Sequence, residues 1–334
     1  MEITMKKLIG KKSLLAAVAV ILMLSVTACG GDNKEETGKI AEGALMVVGN
    51  ESISYEEAFA YIYMLKQQYE PGMGEEIWNF QVEEGVTFED YAKDKIVDEL
   101  TQLKIVCQEA EKLEIALTED EIQEAKSMAG RFMENVTAED ALEYGLTKEL
   151  MASIYEDHIL AQKVFEISTN EVNTNIPDEE AKQVTIQYLM VMTKGTDKNG
   201  QEVDMTKEEK KQAKKKAKSL YEKAKKLESG FYAFADSNTD AKEVEITFGK
   251  SDMPKDFGDA AMNLKTGEMS KLITGENGYY ILYCVSDYDE EATLAKKEEM
   301  IAKAQDEMFR QKYLEWSENA KLIISTAVWD EMEF

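Results

Sequence analysis

The sequence predicts an α+β protein, mainly helical, that contains one small β-α-α-β-α-β unit. Apolar residues recur at helical spacing through residues 45–170 and again through 291–322. Between them, over residues 182–287, runs of β-branched and aromatic residues alternate with short helical segments. With 334 residues, 44% of them hydrophobic, the chain is long enough for two or three domains with apolar cores.

The charge balance and the residue usage exclude several classes of function. The chain has 66 acidic and 39 basic residues and a formal net charge of −27. Such an acidic chain repels phosphate backbones, so no nucleic-acid partner is predicted. A single histidine, His158, and three cysteines exclude a His-rich metal site and a disulfide scaffold. We therefore expect no metal and no cofactor.

The N-terminus has the pattern of an export signal. Several lysines within residues 6–12 precede an apolar run of 13 residues at 14–26. This run is shorter than the roughly 20 residues of a membrane-spanning helix and fits a signal peptide. The small residues that follow, and then Cys29, resemble the lipobox of bacterial lipoproteins. The resemblance implies a signal peptide at 1–28, a lipid anchor at Cys29 and a polar tether at 29–44; the alternative is an ordinary signal peptide with an incidental cysteine.

The region after the tether is predicted to start with a short strand at 45–50 and to continue as helices. Ser54 and Glu57 are predicted to form a capping box, in which each side chain bonds the backbone N–H of the other residue. The helix that they open is expected to end at Pro71. Further helices are predicted over 88–113, from Thr118 onward, and over 147–167.

The pattern changes near Pro177. Strands are predicted at 184–191, 244–248 and 279–285, and helices at 207–227, 231–235 and 259–264. Residues 207–226 hold ten lysines and three glutamates, which by default indicates a solvated helix face. A long helix at 291–322 and an extended tail at 323–334 complete the chain.

Residues 248–270 carry a family pattern. Met253, then Phe257, an alanine pair at 260–261 and the run LKTGEMS at 264–270 resemble the corresponding stretch of the parvulins. The parvulins are small peptidyl-prolyl isomerase domains. The resemblance implies that the β-α-α-β-α-β unit is a parvulin-like domain.

The resemblance also implies site residues. Met253 and Phe257 would line the pocket for a proline ring, although both residue types also suit plain core packing. Asp240 falls near the position of the parvulin catalytic Cys or Asp; its alternative is an exposed turn. Where parvulins have two central histidines, this sequence has Tyr188 and Tyr280. We therefore take Asp240, Tyr188 and Tyr280 as the catalytic candidates, with isomerase activity left open.

The flanks resemble SurA-like and PrsA-like chaperones, on the motif at 48–54 and the helical run ending at 160–164. In those families an N-terminal helical region and a C-terminal helix form one chaperone domain into which the parvulin domain is inserted. The boundaries implied for this chain are a helical chaperone region at 45–180, the parvulin-like domain at 181–288, and a C-terminal helix and tail at 289–334 that pack on the N-terminal region.

The function expected from these resemblances is that of a folding factor, lipid-anchored on the extracytoplasmic face of a bacterial cell membrane, that acts on X-Pro bonds. Its partners would be unfolded or extended segments of secreted proteins; a homodimer is left open. The alternative is a non-catalytic holdase whose parvulin domain only binds peptide. A solute-binding lipoprotein would need two lobes with parallel sheets, which the long helices disfavour.

Three remaining residues bear on chemistry. His158 has acidic neighbours and no ligand cluster around it in the sequence, so a surface or hydrogen-bonded role is expected. Cys107 and Cys284 lie on a predicted helix and a predicted strand and are expected to be buried free thiols. A disulfide between them is left open, because sequence does not reveal proximity.

Overall fold

The computed structural model describes residues 40, 43–196, 198, 200–318, 320–332 and 334. The signal peptide, Cys29 and most of the tether predicted at 29–44 lie outside the described residues. The chain divides into two compact units: the first ends at Val172 and resumes over Gln305–Phe334, and the second is Asn173–Ala304.

The first unit is mainly helical. Its helices are α1 (Tyr55–Met73), a 3₁₀ helix (Glu75–Asn79), α2 (Phe88–Lys112), α3 (Glu119–Met133), α4 (Ala138–Glu143), α5 (Lys148–Ser168), α10 (Glu290–Ser317) and α11 (Thr326–Trp329). Helix α10 begins in the second unit and ends in the first. Its strands are β1 (Ala44–Val48), β2 (Glu51–Ser54), β3 (Gln81–Glu83), β4 (Val86–Thr87) and β11 (Leu322–Ile324).

Polar caps explain where the helices begin. Thr87 and Thr118 each open a full capping box, with Asp90 and Glu121 as the returning carboxylates. Ser54 accepts a hydrogen bond from the backbone N–H of Glu57 at 3.2 Å, as predicted. The reciprocal half of that predicted box is wrong, because the Glu57 carboxylate forms an ion pair with a lysine of α2 instead.

Helix α1 runs two residues past its predicted end. Pro71 lies inside the last turn, where its missing N–H removes only one helical hydrogen bond. The helix ends at Met73 and is capped by Gly74, whose φ of +75° suits glycine and whose N–H donates to the Glu70 carbonyl oxygen at 2.8 Å.

The C-terminal tail contributes to the core of the first unit. Strand β1 is the centre of a three-stranded antiparallel sheet of order β11-β1-β2, in which Met46 pairs with Ile324. The prediction of an extended tail is wrong beyond β11, because the chain there forms the short helix α11. Trp329 and Met332 are buried in the same core as Leu45 and Ile62.

The second unit has the predicted β-α-α-β-α-β order. Its strands are β5 (Gln183–Met192), β6 (Lys194–Thr196), β7 (Glu202–Asp204), β8 (Glu245–Gly249), β9 (Ile273–Thr274) and β10 (Gly278–Ser286). Its helices are α6 (Asp178–Ala181), α7 (Lys207–Ala224), α8 (Phe231–Asp236) and α9 (Lys255–Met262), followed by the start of α10. The small β6–β7 hairpin and β9 were not predicted from the sequence.

The sheet of the second unit is antiparallel, with order β8-β5-β10-β9, and its two faces carry different helices. Alternate residues of a strand point to opposite faces. On one face Leu189 and Val191 pack against α7 and α8. On the other, Val184 and Ile186 pack against Phe257 of α9. The predicted fold class, mainly helical with an inserted small α+β domain, is confirmed.

Candidate functional site

The candidate site lies on the α9 face of the second unit, across the two central strands β5 and β10. Tyr188 of β5 is paired with Leu282, and Tyr280 of β10 is paired with Met190. The two tyrosines are therefore diagonal neighbours on one face, within reach of each other for side chains of this length. Both rings are half-buried.

Phe257 of α9 lies between the two tyrosine rings. Its ring centroid is 5.5 Å from that of Tyr188 and 5.3 Å from that of Tyr280, with interplanar angles of 89° and 87°. Phe248 of β8 contacts it from a third side at 5.7 Å. Edge-to-face geometry of this kind stabilises aromatic pairs beyond simple burial. Only 3% of Phe257 is exposed, so it forms the floor of the cluster rather than an open wall.

Met253 packs against the same cluster and is half-buried. It precedes α9, which begins after Pro254. Gly258 lets this helix approach the preceding segment, because a Cβ at that position would lie 3.3 Å from the Lys250 carbonyl oxygen. The structure therefore brings together four of the sequence-predicted site residues: Tyr188, Tyr280, Met253 and Phe257.

A second glycine controls the position of the Tyr280 ring. A Cβ on Gly275 would lie 2.9 Å from Cε2 of Tyr280, closer than real Cβ atoms approach. Gly275 also donates its N–H to the Gly278 carbonyl oxygen at 2.9 Å, within the turn that leads into β10. The ring and this turn are thus in direct contact, and only glycine leaves room for both.

Asp240 is held at the edge of β5 and not in the aromatic cluster. Its Oδ2 accepts a hydrogen bond from the Met192 N–H at 3.0 Å, and its Oδ1 pairs with Lys216 Nζ at 2.8 Å. Its own N–H donates to the Met190 carbonyl oxygen at 2.9 Å. The segment around Asp240 thus bonds to β5 beyond the point where its pairing with β8 stops. Both carboxylate oxygens of Asp240 already have hydrogen-bond partners.

The pKa values of the two tyrosines are affected by carboxylates other than Asp240. Burial, and after it the negative charge of Glu243, raise the pKa of Tyr188 above its usual value. Burial, then Tyr188 and Glu276, raise the pKa of Tyr280, and Lys194 opposes this. Both phenols are therefore neutral near pH 7 and can donate as well as accept a hydrogen bond.

Sequence reasoning missed Glu243 and Glu276. Glu243 directly precedes the strand predicted at 244–248, and the structure pairs this stretch with β5: the Tyr188 N–H donates to the Val244 carbonyl oxygen at 2.7 Å. No comparable pattern marks Glu276, which lies in the turn before β10 and is 3.8 Å from Lys194 Nζ.

His158 belongs to the first unit, whereas the aromatic cluster belongs to the second. Its Nε2 is 2.9 Å from the Tyr61 hydroxyl, and burial lowers its pKa to about 4. Within the described part of the chain, no three His, Cys, Asp or Glu side chains lie close enough to hold a metal ion. Cys107 and Cys284 are both free thiols, as predicted; Cys284 is buried in the sheet core, whereas Cys107 is only half-buried.

A helix that spans a bilayer must be long and almost entirely apolar. Within residues 40, 43–196, 198, 200–318, 320–332 and 334, no helix is both long enough and apolar enough to cross a membrane.

Two family models match the chain. The PPIC-type PPIASE domain matches residues 191–286, which run from the end of β5 to β10 and include Met253, Phe257 and Tyr280 but not Tyr188. The SurA-like N-terminal domain matches residues 4–135. The two matches cover separate stretches and occur in the order that the sequence resemblance implied.

Whole-length relatives combine the same two parts. The chain is 26% identical to the foldase protein PrsA of Caldanaerobacter subterraneus over 93% of this chain and 98% of the relative. It is 23% identical to foldase protein PrsA of Clostridium botulinum strain 657, over 94% and 97% of the two chains. A crystal structure of the peptidylprolyl isomerase PrsA from Bacillus cereus is similar at 17% identity and a TM-score of 0.34, over 72% of this chain and 89% of that one.

The two family matches and the full-length relatives describe one architecture. The chain is a PrsA/SurA-like protein-folding factor that combines a SurA-like N-terminal domain with a PPIC-type, parvulin isomerase domain.

Proposed function

We propose that this protein is a membrane-anchored, extracytoplasmic foldase that isomerises X-Pro bonds in secreted proteins. One observation carries the isomerase part: Tyr188, Tyr280, Met253 and Phe257, from two strands and the segment of α9, converge on one face of the sheet. Apolar walls with a few directed polar groups are the usual composition of a small binding site.

The reaction needs little covalent chemistry. Rotation about a peptide bond has a barrier of about 18–20 kcal/mol, and an X-Pro bond isomerises in tens to hundreds of seconds without a catalyst. A catalyst accelerates it by binding the twisted amide better than either planar form. An apolar surround favours the twisted state, because that state has lost the charge separation of the planar amide.

The residues of the cluster can meet these needs without a cofactor. A prolyl ring would contact Met253 and the faces of Tyr188 and Tyr280, with Phe257 beneath them. A neutral phenol can donate a hydrogen bond to the amide nitrogen or to the carbonyl oxygen as the bond twists. The raised pKa of each tyrosine keeps that proton in place at physiological pH. Asp240 serves this site as a positioning residue, since it fixes the β5 edge.

The lipobox resemblance at Cys29 supports the membrane anchoring and the extracytoplasmic location. Two acyl chains give stable attachment, whereas one is marginal. Extended and unfolded segments of exported proteins are then the substrates at hand. Their slow X-Pro steps can limit folding.

The test is a refolding assay limited by prolyl isomerisation. We expect the chain to accelerate the slow phase. The double variant Y188F/Y280F keeps both rings and removes both hydroxyls, so its acceleration should be about tenfold smaller than that of the parent. Y232F is the matched control, since Tyr232 is an exposed tyrosine of α8 in the same unit.

A non-catalytic holdase is the second candidate, and two observations favour it. Tyrosines occupy the two histidine positions, and the carboxylate of Asp240 is already bound to Met192 and Lys216. Suppressed aggregation without any acceleration of the slow phase would establish the holdase and remove the isomerase.

A further inference from the structure

The segment between α1 and α2 of the first unit exposes large apolar side chains. It comprises the end of α1, the 3₁₀ helix, the β3–β4 hairpin and the start of α2; we call residues 73–91 the tip segment. Its exposed members are Met73 at 63%, Phe80 at 62%, Tyr91 at 47% and Val82 at 39%. Phe80 directly precedes β3, and Val82 is its middle residue, so both lie on the β3 arm of the hairpin.

An ordered aromatic platform supports the tip segment. Trp78 is buried, and its ring stacks on Phe88 at 5.4 Å. Phe88 in turn contacts Tyr69 at 5.1 Å and Tyr91 at 6.2 Å. The Trp78 Nε1 donates to Glu70 at 2.8 Å, which fixes the indole. The exposed apolar groups are therefore presented on a packed base, and little ordering is required when something binds to them.

The tip segment is also strongly acidic. Glu75, Glu76, Glu83 and Glu84 are exposed, and none of them forms an ion pair with any residue that the structure describes. Unpaired charges of one sign around apolar groups attract an apolar partner that carries the opposite sign. They also disfavour an anionic lipid surface, which repels acidic side chains.

We propose that the tip segment binds extended polypeptide segments in which apolar residues are interspersed with lysine or arginine. The apolar residues would pack on Phe80, Val82 and Tyr91, and the cations would pair with the surrounding glutamates. This inference rests on the proposed function as a folding factor, because it names the class of client segment that the first unit holds. It is independent of the tyrosine cluster in the second unit.

The test measures direct binding of short fluorescent peptides to the full chain. One peptide alternates leucine with lysine, a second has glutamate in place of lysine, and a third has serine in place of leucine. We expect only the leucine–lysine peptide to bind. Its affinity should fall as ionic strength rises from about 0.01 M to about 1 M, where the Debye length shrinks from about 30 Å to about 3 Å.

Variants locate the site. F80S/V82S should weaken the leucine–lysine peptide about tenfold, which corresponds to about 1.4 kcal/mol. L142S/I167S is the matched control, because both side chains are exposed and lie in the same unit, and it should bind as the parent does. E83Q/E84Q should reduce both the affinity and its salt dependence, whereas the exposed pair E111Q/E124Q should change the affinity much less.

The outcomes separate the proposal from its rivals. Equal losses in F80S/V82S and L142S/I167S, or tighter binding of the leucine–glutamate peptide, would overturn it. So would loss of self-association, rather than of peptide binding, in F80S/V82S, since the face would then join two copies of this chain. Because the assay involves no proline and no refolding, failure of the isomerase proposal would leave its result intact.

Discussion

Replacement of Lys104 by methionine should destabilise the first unit strongly. Lys104 lies on α2 with a side chain only 10% exposed, and its Nζ is 2.9 Å from Glu57 of α1 and 2.6 Å from Asp157 of α5. Burial opposes its charge, but the two carboxylates outweigh that effect and hold the pKa of Lys104 above its usual value. Methionine would keep the packing volume and leave two carboxylates without their cation.

The magnitude follows from the burial of those carboxylates. Removal of one partner from a buried ion pair costs about 3–5 kcal/mol. The Asp157 side chain is 24% exposed and can be partly rehydrated, so we expect the lower end, about 3 kcal/mol. For a unit of this size that lowers the melting temperature by about 6–12 °C. Thermal and urea unfolding of the full chain measure it.

The pH dependence gives a second readout with a definite sign. Burial raises the pKa of Glu57 even in the parent, although Lys104 opposes it. Without Lys104 the folded-state pKa of this carboxyl rises further above its unfolded value. The variant then regains stability as the pH falls through the folded-state pKa of Glu57, because burial penalises the neutral acid less than the carboxylate. The deficit of K104M should therefore shrink as the pH falls below neutrality.

The control is K95M, which removes an exposed pair with Asp98 at 3.2 Å on the same helix. Exposed pairs of this kind contribute about 0–1 kcal/mol. If K104M and K95M unfold at the same temperature, or if the deficit of K104M grows at low pH, the three-residue network does not stabilise the first unit as reasoned.

Three further predictions concern the site, a buried acid and the anchor. G275A should displace the Tyr280 ring and reduce isomerase activity with little loss of stability, measured by the refolding assay and a thermal melt; an unchanged rate would contradict the ring contact. Burial raises the pKa of Glu99 to about 7, so the parent should lose stability as pH rises through that value, and E99Q should flatten the urea-unfolding profile between about pH 5 and pH 8; identical profiles would exclude this origin. C29A should move the protein from the membrane fraction to the soluble fraction of expressing cells, and retention on the membrane would argue against a lipid anchor there.

Helix starts and the main sheet could be predicted, because their signals are local. Thr87 and Thr118 carry their caps within three residues, and the runs of β-branched and aromatic residues at β5 and β10 are long enough to be recognised as strands. Strands of two or three residues, such as β4 and β9, contain too few side chains to show a period. Their pairing depends on turns and on neighbours that sequence patterns do not reveal.

The site was predictable where a contiguous motif carries it. Met253 and Phe257 belong to one motif, and the alternation of β5 and β10 places Tyr188 and Tyr280 on its side of the sheet. The Asp240 carboxylate pairs with Lys216 of α7, which lies 24 residues away along the chain, and no local sequence pattern predicts this pair. Long-range charge pairing of this kind is what a single sequence conceals.

The split construction of the first unit has a consequence for how the protein itself is made. Strand β11 completes the sheet around β1, so that sheet is incomplete until the distant segment Gln305–Phe334 has been synthesised. The contiguous second unit can finish earlier. Contacts so distant along the chain form late and slowly. Until its own final strand arrives, this folding factor exists as an incomplete chain with bare β-edges, the same condition as the proteins that it would assist.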